Sequence, residues 1–579
     1  MNLNEFLKIV DSSLKQMTKN ELEKFIHLLA WKTDEDKREK FVEYLCAGDK
    51  NAPVHGDDTV VSCIKQETAA VMKDLKRIEQ GELCISGYFN EYYDDWYDDV
   101  DDEFVFRNTD KIQSIIMKAC DVLKSATEMT LYDEAYNLSS EMMNLTISIN
   151  GDYADNVQEY MYLNEVYETN VFQFDFRGFG LNALYSQYVI KTGEERVREM
   201  YRTLLYFCCV NLKIEQILQL GYDDLVGCGQ FLNDWISFLG EINSKDSRKF
   251  IREAVKLSAG TDDILSAAEK YVKIHPGLYE ELLIDGRDLS NEQLLEIGLD
   301  ALGRIPVELV IRSRIALMTA EYAIKLNKPS VAEYCLIEAF RSDTTVTNYL
   351  RIVFNCENYS KLIPVMKEIY NGFSGNLNNV FTDRNDDLCR NILRADMHCS
   401  LLLLGMEFER IFKFRKNMKD NNSKGEIASV KCPTPLLLIY FYAGEDMLPG
   451  IRAMCMKAVE NIDFRPDKYF FLNAEKTEDI KSEELLFICV RKWKKYAMSE
   501  YDYKEEFLKY IGNAIHTDTV NVLKRQERFC YGNCASYIAA LGEVNDSIGN
   551  TDKGKTALIN QYNKEFPRYR AFRKELQSF

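Results

Sequence analysis

Proline is scarce in this chain and unevenly placed. Only 10 of its 579 residues are proline, and none lies between Pro53 and Pro276. Proline lacks an amide proton and its ring clashes with the preceding helical turn, so a stretch without it leaves helices uninterrupted. Apolar residues recur every three or four positions along most of the chain, which is the spacing of amphipathic helices. The sequence therefore predicts a mainly α-helical protein.

Length and composition indicate a large folded protein. A chain of 579 residues exceeds what one hydrophobic core usually supports, so several domains or a repeat array are expected. The residues are 46% hydrophobic and 12% aromatic, which favours a folded chain over a disordered one. No secretory signal and no run of eighteen apolar residues can be recognised in the sequence. We expect a cytoplasmic protein without contact to a membrane.

The chain contains 16 cysteines, and we expect them to be reduced in the cytoplasm. Six of them lie among apolar residues with helical spacing, where a free cysteine behaves as a small hydrophobic side chain. These six are Cys208, Cys209, Cys228, Cys399, Cys455 and Cys489. The sequence predicts that they are mostly inert core thiols.

Successive amphipathic segments form pairs joined by short turns. Residues 110–126 pair with 130–148, residues 308–327 with 328–343, and residues 384–405 with 406–420. The pairs suggest a period near 35 to 45 residues without a fixed consensus, which predicts an irregular α-solenoid. The predicted domains are an N-terminal helical region (1–105), a helical-repeat array (106–420), a flexible linker (421–435) and a C-terminal helical domain (436–579).

Two of these segments carry a family resemblance. The stretches "LYDEAY" and "AEYAIKLNKPSVAEYCLIEAF" resemble tetratricopeptide-type helix pairs, with small residues where two helices cross. The pattern is also similar to helical regions that accompany bacterial SWIM zinc-finger proteins, although the zinc-binding C-x-C and C-x-H motif is absent. The resemblance implies a scaffold that binds other proteins, and it transfers no site residue.

The segment "YFNEYYDDWYDDVDDEF", residues 88–104, is both aromatic and acidic. On a helix its aromatic doublets fall on one half of the surface and most of its acids on the other half. We predict an aromatic-faced helix that turns into a loop after Asp98, with Tyr92, Tyr93, Trp96 and Tyr97 as candidate interaction residues. The segment lacks the glycine of a calcium-binding EF-hand loop. Mimicry of nucleic acid is an alternative.

A glycine motif offers one possible cofactor site. Residues 171–176 suggest a short strand, and Gly178, Gly180 and Ala183 then match G-x-G-x-x-A. A dinucleotide-binding fold also needs a second parallel strand about thirty residues later, and the sequence there is helical. A glycine turn between packed helices is the favoured interpretation. An enzyme with a site built from dispersed residues, using a cofactor near Gly178, is the alternative.

No metal site or catalytic motif stands out. The five histidines are scattered, and Cys530 with Cys534 forms a single pair where structural zinc sites usually show two. We therefore expect no metal, no cofactor and no catalytic activity. The histidines are His27, His55, His275, His398 and His516.

Residues 415–435 have the composition of an exposed loop, rich in lysine, asparagine, serine and glycine and ending in two prolines. The segment is predicted to be a hinge or a processing site, with Met418, Lys419 and Lys424 as candidate interaction or cleavage residues. A plain surface loop is the alternative. A weaker break falls at residues 371–387.

The charge balance disfavours nucleic acid as a direct ligand. The net charge is −20, and affinity for phosphate backbones depends on lysine and arginine. The last stretch is basic, which indicates either the solvated face of a closing helix or a local binding patch. Its basic residues are Lys553, Lys555, Lys564, Arg568, Arg570, Arg573 and Lys574.

Taken together, these patterns predict a protein-binding scaffold or adaptor that acts through a helical-repeat surface. Two alternatives are open. One is a bacterial stress or antiviral (CRISPR-associated) regulator controlled by proteolysis in the 415–435 loop. The other is the enzyme with dispersed site residues.

Overall fold

A computed structural model describes most of the chain. It covers residue 26 and residues 56–90, 103–107, 109–150, 160–220, 225–258, 261–286, 289–357, 359–373, 383–411, 433–472, 480–497 and 504–579. The contacts divide the chain into two compact units, Met1–Gly260 and Thr261–Phe579. The boundaries predicted from sequence composition remain predictions about domain organisation.

Helices form most of the described part of the first unit. In chain order they are α1 (Gly56–Glu79), α2 (Asp110–Glu128), α3 (Tyr132–Asn144), α4 (Leu163–Glu168), α5 (Phe176–Ile190), α6 (Gly193–Tyr206), α7 (Ile214–Leu220), α8 (Cys228–Gly240) and α9 (Lys245–Leu257). Successive helices pack on one another, as α1 does on α2, α2 on α3 and α8 on α9. The predicted helix over 110–126 is confirmed, and that over 130–148 ends at Asn144.

The first unit also contains a small sheet that the sequence pattern did not predict. Its strands are β1 (Ile85–Asn90), β2 (Glu103–Arg107), β3 (Thr146–Asn150) and β4 (Tyr160–Tyr162), in the order β2-β1-β3-β4. Strand β1 runs antiparallel to β2 and parallel to β3, while β3 runs antiparallel to β4. The predicted helix is therefore wrong at residues 88–90, and the predicted loop after Asp98 is wrong at residues 103–104, which belong to β2.

The physical reason is long-range pairing. Ile85 of β1 pairs with Ile149 of β3, and both side chains are buried, as is Ile147. A strand is stabilised by its cross-strand neighbours, which are Val105 for Tyr88 and Phe104 for Phe89. Such pairing leaves no trace in local periodicity. Aromatic and β-branched residues fit such a pairing, so the alternating aromatic sequence was ambiguous between helix and strand.

The described regular elements of the second unit are all helices, apart from a single β-bridge. Its first helices are α10 (Thr261–Tyr271), α11 (Gly277–Asp285), α12 (Asn291–Arg304), α13 (Val310–Lys325), α14 (Pro329–Ser342), α15 (Val346–Asn355), α16 (Tyr359–Asn371) and α17 (Ala395–Leu404). Its later helices are α18 (Thr434–Phe441), α19 (Pro449–Asn461), α20 (Ser482–Ala497), α21 (Lys504–Arg525), α22 (Tyr531–Ser547), α23 (Lys555–Glu565) and α24 (Arg570–Gln577).

The predicted pair over 308–343 is confirmed as α13 and α14, and its turn follows from two residues. Asn327 adopts a left-handed conformation with φ 53°, which ends α13, and Pro329 occupies the first turn of α14. Arg312 on α13 and Glu338 on α14 form a buried ion pair at 2.5 Å. The chain is thus an all-α, irregular solenoid of helix pairs with the small sheet inserted in its first unit.

The predicted helix over 384–405 is wrong in its first half. Only Ala395–Leu404 is helical, while residues before it pair with the start of α13. The amide of Val310 donates to the carbonyl of Cys389 at 2.8 Å, and the amide of Asn391 donates to that of Glu308 at 2.7 Å. These non-local hydrogen bonds replace the helical ones.

The cysteines follow the sequence prediction only in part. Cys399, Cys455 and Cys489 are buried as expected. The prediction is wrong for Cys208 and Cys209, which are exposed because they lie in a short 3₁₀ turn after α6 and not on the buried face of a helix. Cys120, Cys335 and Cys356 are also buried, and burial raises the pKa of each thiol to about 12.

We expect a thiol reagent at pH 8 to modify the exposed Cys63 and Cys208 quickly, and Cys209 more slowly, because burial and Glu168 raise the pKa of the Cys209 thiol. Buried thiols both resist ionisation and exclude the reagent. Among the described cysteines, Cys335 and Cys455 should react only after unfolding. Mass spectrometry of timed reactions measures this, with Cys63→Ser/Cys208→Ser/Cys209→Ser as the control that loses the fast phase. Rapid modification of Cys335 in folded protein would contradict the expected burial.

Candidate functional site

The residues selected from the sequence as interaction or processing candidates lie outside the described residues. They are Tyr92, Tyr93, Trp96, Tyr97, Met418, Lys419 and Lys424. Their roles therefore stay predictions. The search for a site in the described residues begins with the glycine motif.

The glycine motif does not form a phosphate-binding turn. Residues 171–175 contain no strand, and both glycines lie in the first turns of α5. The Asp175 carboxylate accepts a hydrogen bond from the Gly178 amide at 2.8 Å, so a side chain of the chain itself caps this helix. Gly180 allows close packing, since a Cβ there would approach Leu212 to 2.5 Å and Phe207 to 2.9 Å. The strand and the glycine turn predicted from the sequence are both wrong.

The histidines and acids do not converge on a metal. Within the described ranges, no group of three or more histidine, cysteine, aspartate or glutamate side chains is placed to hold an ion. His275 and His398 are buried, and His516 lies 3.4 Å from Glu565. The helices of the described residues also include none long and apolar enough to span a bilayer.

A buried polar cluster at the ends of α15, α16 and α17 is the nearest approach to a catalytic constellation. The hydroxyls of Tyr349 and Tyr359 lie 3.0 Å apart, and Tyr349 donates to the Leu404 carbonyl at 3.0 Å. Tyr370 donates to Glu407 at 2.5 Å, and Arg410 donates to the other oxygen of that carboxylate at 2.6 Å.

The protonation properties of this cluster fit a structural role. Burial raises the pKa of Tyr349 and of Tyr370 far above neutrality. Burial also acts to raise the pKa of Glu407, but hydrogen bonds from Tyr370 and Arg410 outweigh it and leave the pKa lowered. A general acid or base works best with a pKa near the operating pH, and these shifts lead away from it. The cluster joins α16 to the residues after α17.

The described surface offers a different kind of site on α19 and α20. The two helices run antiparallel, because Arg452 of α19 contacts Glu484 of α20 at 3.0 Å and Arg491 of α20 donates to the Glu445 carbonyl, also at 3.0 Å. In an antiparallel pair, a step of four residues forward on one helix corresponds to a step of four residues back on the other. Leu448 is therefore placed opposite Ile488, and Met456 opposite Ile480.

Each of these four apolar side chains is exposed. The exposed fractions are 40% for Leu448, 52% for Met456, 38% for Ile480 and 46% for Ile488. Met456 and Ile488 each lie four residues after the ion-pair residue of their own helix, which places them on the face of the ion pair. Leu448 is the residue before α19, and Ile480 lies two residues before α20. We call these four residues, with Arg452 and Glu484 between them, the α19–α20 stripe.

The stripe rests on a rigid base. All eight residues of α18 are buried, and α18 packs on α19, α20 and α22. The first amides of α19 are held by the buried carboxylate of Glu543, which accepts from Gly450 at 3.0 Å and from Ile451 at 2.8 Å. Lys494 of α20 donates to the Tyr442 carbonyl at 2.7 Å, and burial lowers its pKa to about 8. The exposed side chains are therefore presented in a fixed arrangement.

Sequence reasoning missed the stripe, although one signal was present. In "SEELLFICVRKW" the buried face of α20 is already supplied by Leu485, Leu486, Cys489 and Trp493, so Ile488 is apolar at a position where the helical period expects a polar residue. Met456 is likewise an apolar residue at an exposed position of α19. The pairing of the two helices, which brings these exceptions together, is a tertiary contact.

Comparison with known proteins adds little to this geometry. No protein-family model matches the chain, and no curated protein is similar to it. Neither the tetratricopeptide nor the SWIM resemblance is therefore shown. A solved structure described as "Circular tandem repeat protein with novel repeat topology and enhanced subunit contact surfaces" aligns with 96% of this chain and 95% of its own, at 10% identity and a TM-score of 0.19. A likeness this slight carries no argument about fold or function.

Proposed function

We propose that this chain is a protein-binding scaffold without catalytic activity of its own, and that it binds a partner through the α19–α20 stripe. The observation that supports the proposal is the convergence of four exposed apolar side chains on one face of a fixed helix pair. Exposed apolar side chains scattered singly are normal, whereas grouped ones with polar neighbours are typical of interaction sites.

The chemistry of the stripe defines the partner it fits. Leu448 and Met456 are eight residues apart, which corresponds to about 12 Å along a helix. A partner helix with apolar residues at positions i and i+7 or i+8 would meet both ends of the stripe. Its middle would carry polar side chains able to bond to Arg452 and Glu484. The stripe therefore suits an amphipathic helix with two apolar anchors.

The two other candidate functions have less support in the described residues. Cleavage within 415–435 depends on residues outside the described ranges, so regulation by proteolysis remains a hypothesis about how such a scaffold is controlled. An enzyme needs groups free for proton or group transfer, and the buried cluster around Tyr370 and Glu407 has its hydrogen bonds satisfied internally.

The test of the scaffold function is loss of a partner by a surface substitution. We expect Met456→Glu/Ile488→Glu to reduce recovery of a specific co-purifying protein at least about tenfold, because a charge at the centre of an apolar contact must be desolvated. Quantitative mass spectrometry of material purified from the native host measures recovery. The purified partner is then titrated by calorimetry against the unchanged protein and against the Met456→Glu/Ile488→Glu variant.

A matched control keeps the result interpretable. Ile284→Glu/Tyr334→Glu adds the same two negative charges at other exposed positions of the second unit, where the side chains are 62% and 49% exposed. This control should bind the partner like the unchanged protein. Circular dichroism should show equal folding of all three proteins. Equal recovery of every partner by the stripe variant and the control would overturn the assignment of the stripe.

A further inference from the structure

A second surface lies at the turn between α21 and α22, apart from the α19–α20 stripe. Gln526 ends α21 in a left-handed conformation with φ 57°, and a 3₁₀ turn over Arg528–Cys530 leads into α22. Cys530 and Tyr531 are buried, while Phe529 is 78% exposed. Because the residues that follow it are fixed in the core, this turn holds the Phe529 ring outward.

Basic side chains flank this ring in the sequence. Lys524, Arg525 and Arg528 are exposed on the same turn. Helix α24 adds Arg570 and Lys574, which are one helical turn apart and exposed, while Phe572 and Leu576 on its other face are buried. We call Phe529 and these five basic residues the Phe529 patch.

Contacts through Tyr531 bring the two segments together. The rings of Tyr531 and Phe572 lie 5.8 Å apart, which fixes α24 beside the start of α22. The pKa of Tyr531 is raised overall, mainly by burial and also by Tyr569, while Arg528 acts in the opposite direction. Tyr569, just before α24, and Arg528 of the turn therefore both act on the Tyr531 hydroxyl. The turn and α24 therefore lie next to each other in the second unit.

The charge of this region differs from that of the chain. Residues 521–579 contain ten lysines and arginines and six aspartates and glutamates, a net of +4 in a protein of net charge −20. Two acids reduce the field of the patch: Glu527, which lies 3.8 Å from Arg525, and Glu575, which is exposed on α24. Five basic residues against two acidic ones leave the patch positive.

We propose that the Phe529 patch binds an acidic segment of another protein, with an apolar side chain of that segment against Phe529 and its carboxylates on Arg528 and Arg570. Arginine is suited to this because its planar group bonds carboxylates in pairs. Complementary charge adds specificity and speeds association. This proposal concerns a different surface from the proposed function, so either can fail without the other.

A nucleic acid is the competing ligand, and the charges favour the peptide. The overall charge of −20 repels a phosphate backbone at long range, whereas a short acidic segment meets mainly the local field. Sequence-tolerant binding of single strands also uses several aromatic platforms for successive bases. At the patch Phe529 supplies one such ring.

The experiment measures binding of defined probes by fluorescence anisotropy. The probes are a labelled acidic peptide with a central Leu-Phe pair, the same peptide with Gly-Gly at that pair, and a single-stranded RNA of equal length. We expect the Leu-Phe peptide to bind most tightly. Arg528→Glu/Arg570→Glu should weaken it at least about tenfold, since like charges replace complementary ones. Phe529→Ala should weaken it by about three- to tenfold and abolish the preference for Leu-Phe over Gly-Gly.

Control variants separate the patch from general charge effects. Lys328→Glu/Lys361→Glu makes the same change in net charge at two exposed lysines elsewhere in the second unit and should bind like the unchanged protein. Ile284→Ala is the matching control for Phe529→Ala. No peptide binding up to about 1 mM, which corresponds to about −4 kcal/mol, or equal binding by both charge-reversal variants, would overturn the proposal. Tighter binding of the RNA would replace it with a nucleic-acid site.

Discussion

Glu543→Ala is expected to destabilise the second unit by about 3–5 kcal/mol, the cost of leaving buried charged and polar partners uncompensated. Glu543 is 1% exposed and accepts hydrogen bonds from the amides of Gly450 and Ile451 at the start of α19. Its carboxylate also lies 2.9 Å from the ammonium group of Lys555. The substitution leaves two amides and one ammonium group without this acceptor.

The close approach of α19 and α22 makes this loss hard to repair. A Cβ at Gly450 would come within 2.6 Å of the Ala540 amide nitrogen, so the backbones of the two helices nearly touch. A cavity in such a place cannot collapse far, and it is too enclosed for bulk water to reach. The effect should therefore be concentrated at the first turn of α19.

Urea unfolding followed by circular dichroism measures the free energy of unfolding, and hydrogen exchange of the Gly450 and Ile451 amides reports the local effect. Glu445→Ala is the control, because the Glu445 side chain is 90% exposed and its removal should change stability by no more than about 0.5 kcal/mol. Equal unfolding curves for Glu543→Ala and the unchanged protein would show that the hydrogen-bond arrangement around Glu543 is wrong.

Cutting the chain between residues 421 and 430 is expected to leave both fragments in one particle. The residues on the two sides of this segment pack together within the second unit. Phe408 contacts Tyr440 and Phe507 at ring distances of 6.0 and 5.7 Å. Asn355 bonds to the backbone of the 470–472 segment through both of its amide atoms, each at 2.9 Å.

A buried arginine adds to this association. Arg351 is 2% exposed and bonds to Asp467 across the cut at 2.8 Å. Separating the fragments would expose Arg351 along with the apolar faces of α15, α18 and α20. An interface that resembles a domain core cut in half is typical of obligate complexes. We therefore expect the two fragments to stay associated at micromolar concentration.

Insertion of a site-specific protease sequence at Lys424 allows a clean cut, and gel filtration of the cut protein shows whether the fragments co-elute. Phe408→Ala should let them separate at a lower urea concentration, while Phe529→Ala, on the surface, should not. Spontaneous separation of the fragments without denaturant would establish residues 421–435 as a joint between independent domains. Co-elution supports the alternative of a surface loop.

Helix content and several helix pairs could be predicted because their causes are local. Scarce proline and a 3.6-residue apolar period specify helices, and Asn327 with Pro329 specifies the end of one helix and the start of the next. The same reasoning predicted helix at residues 88–90 and 384–394, where pairing with another segment of the chain decides the backbone. Local pattern also failed to predict the burial of Cys208 and Cys209. A 3₁₀ turn exposes these thiols, which the pattern assigned to the core.

The sequence by itself therefore determined the helical class, the absence of recognisable catalytic motifs and the basic character of the last residues. Tertiary structure alone decided the four-stranded sheet, because strand pairing joins residues such as Ile85 and Ile149 that no local pattern connects. It also decided both proposed surfaces. Ile488 and Met456 are isolated exceptions in their own helices, and only the packing of α19 on α20 brings them together. Phe529 and Arg570 belong to separate segments, which the packing of α24 on α22 makes neighbours.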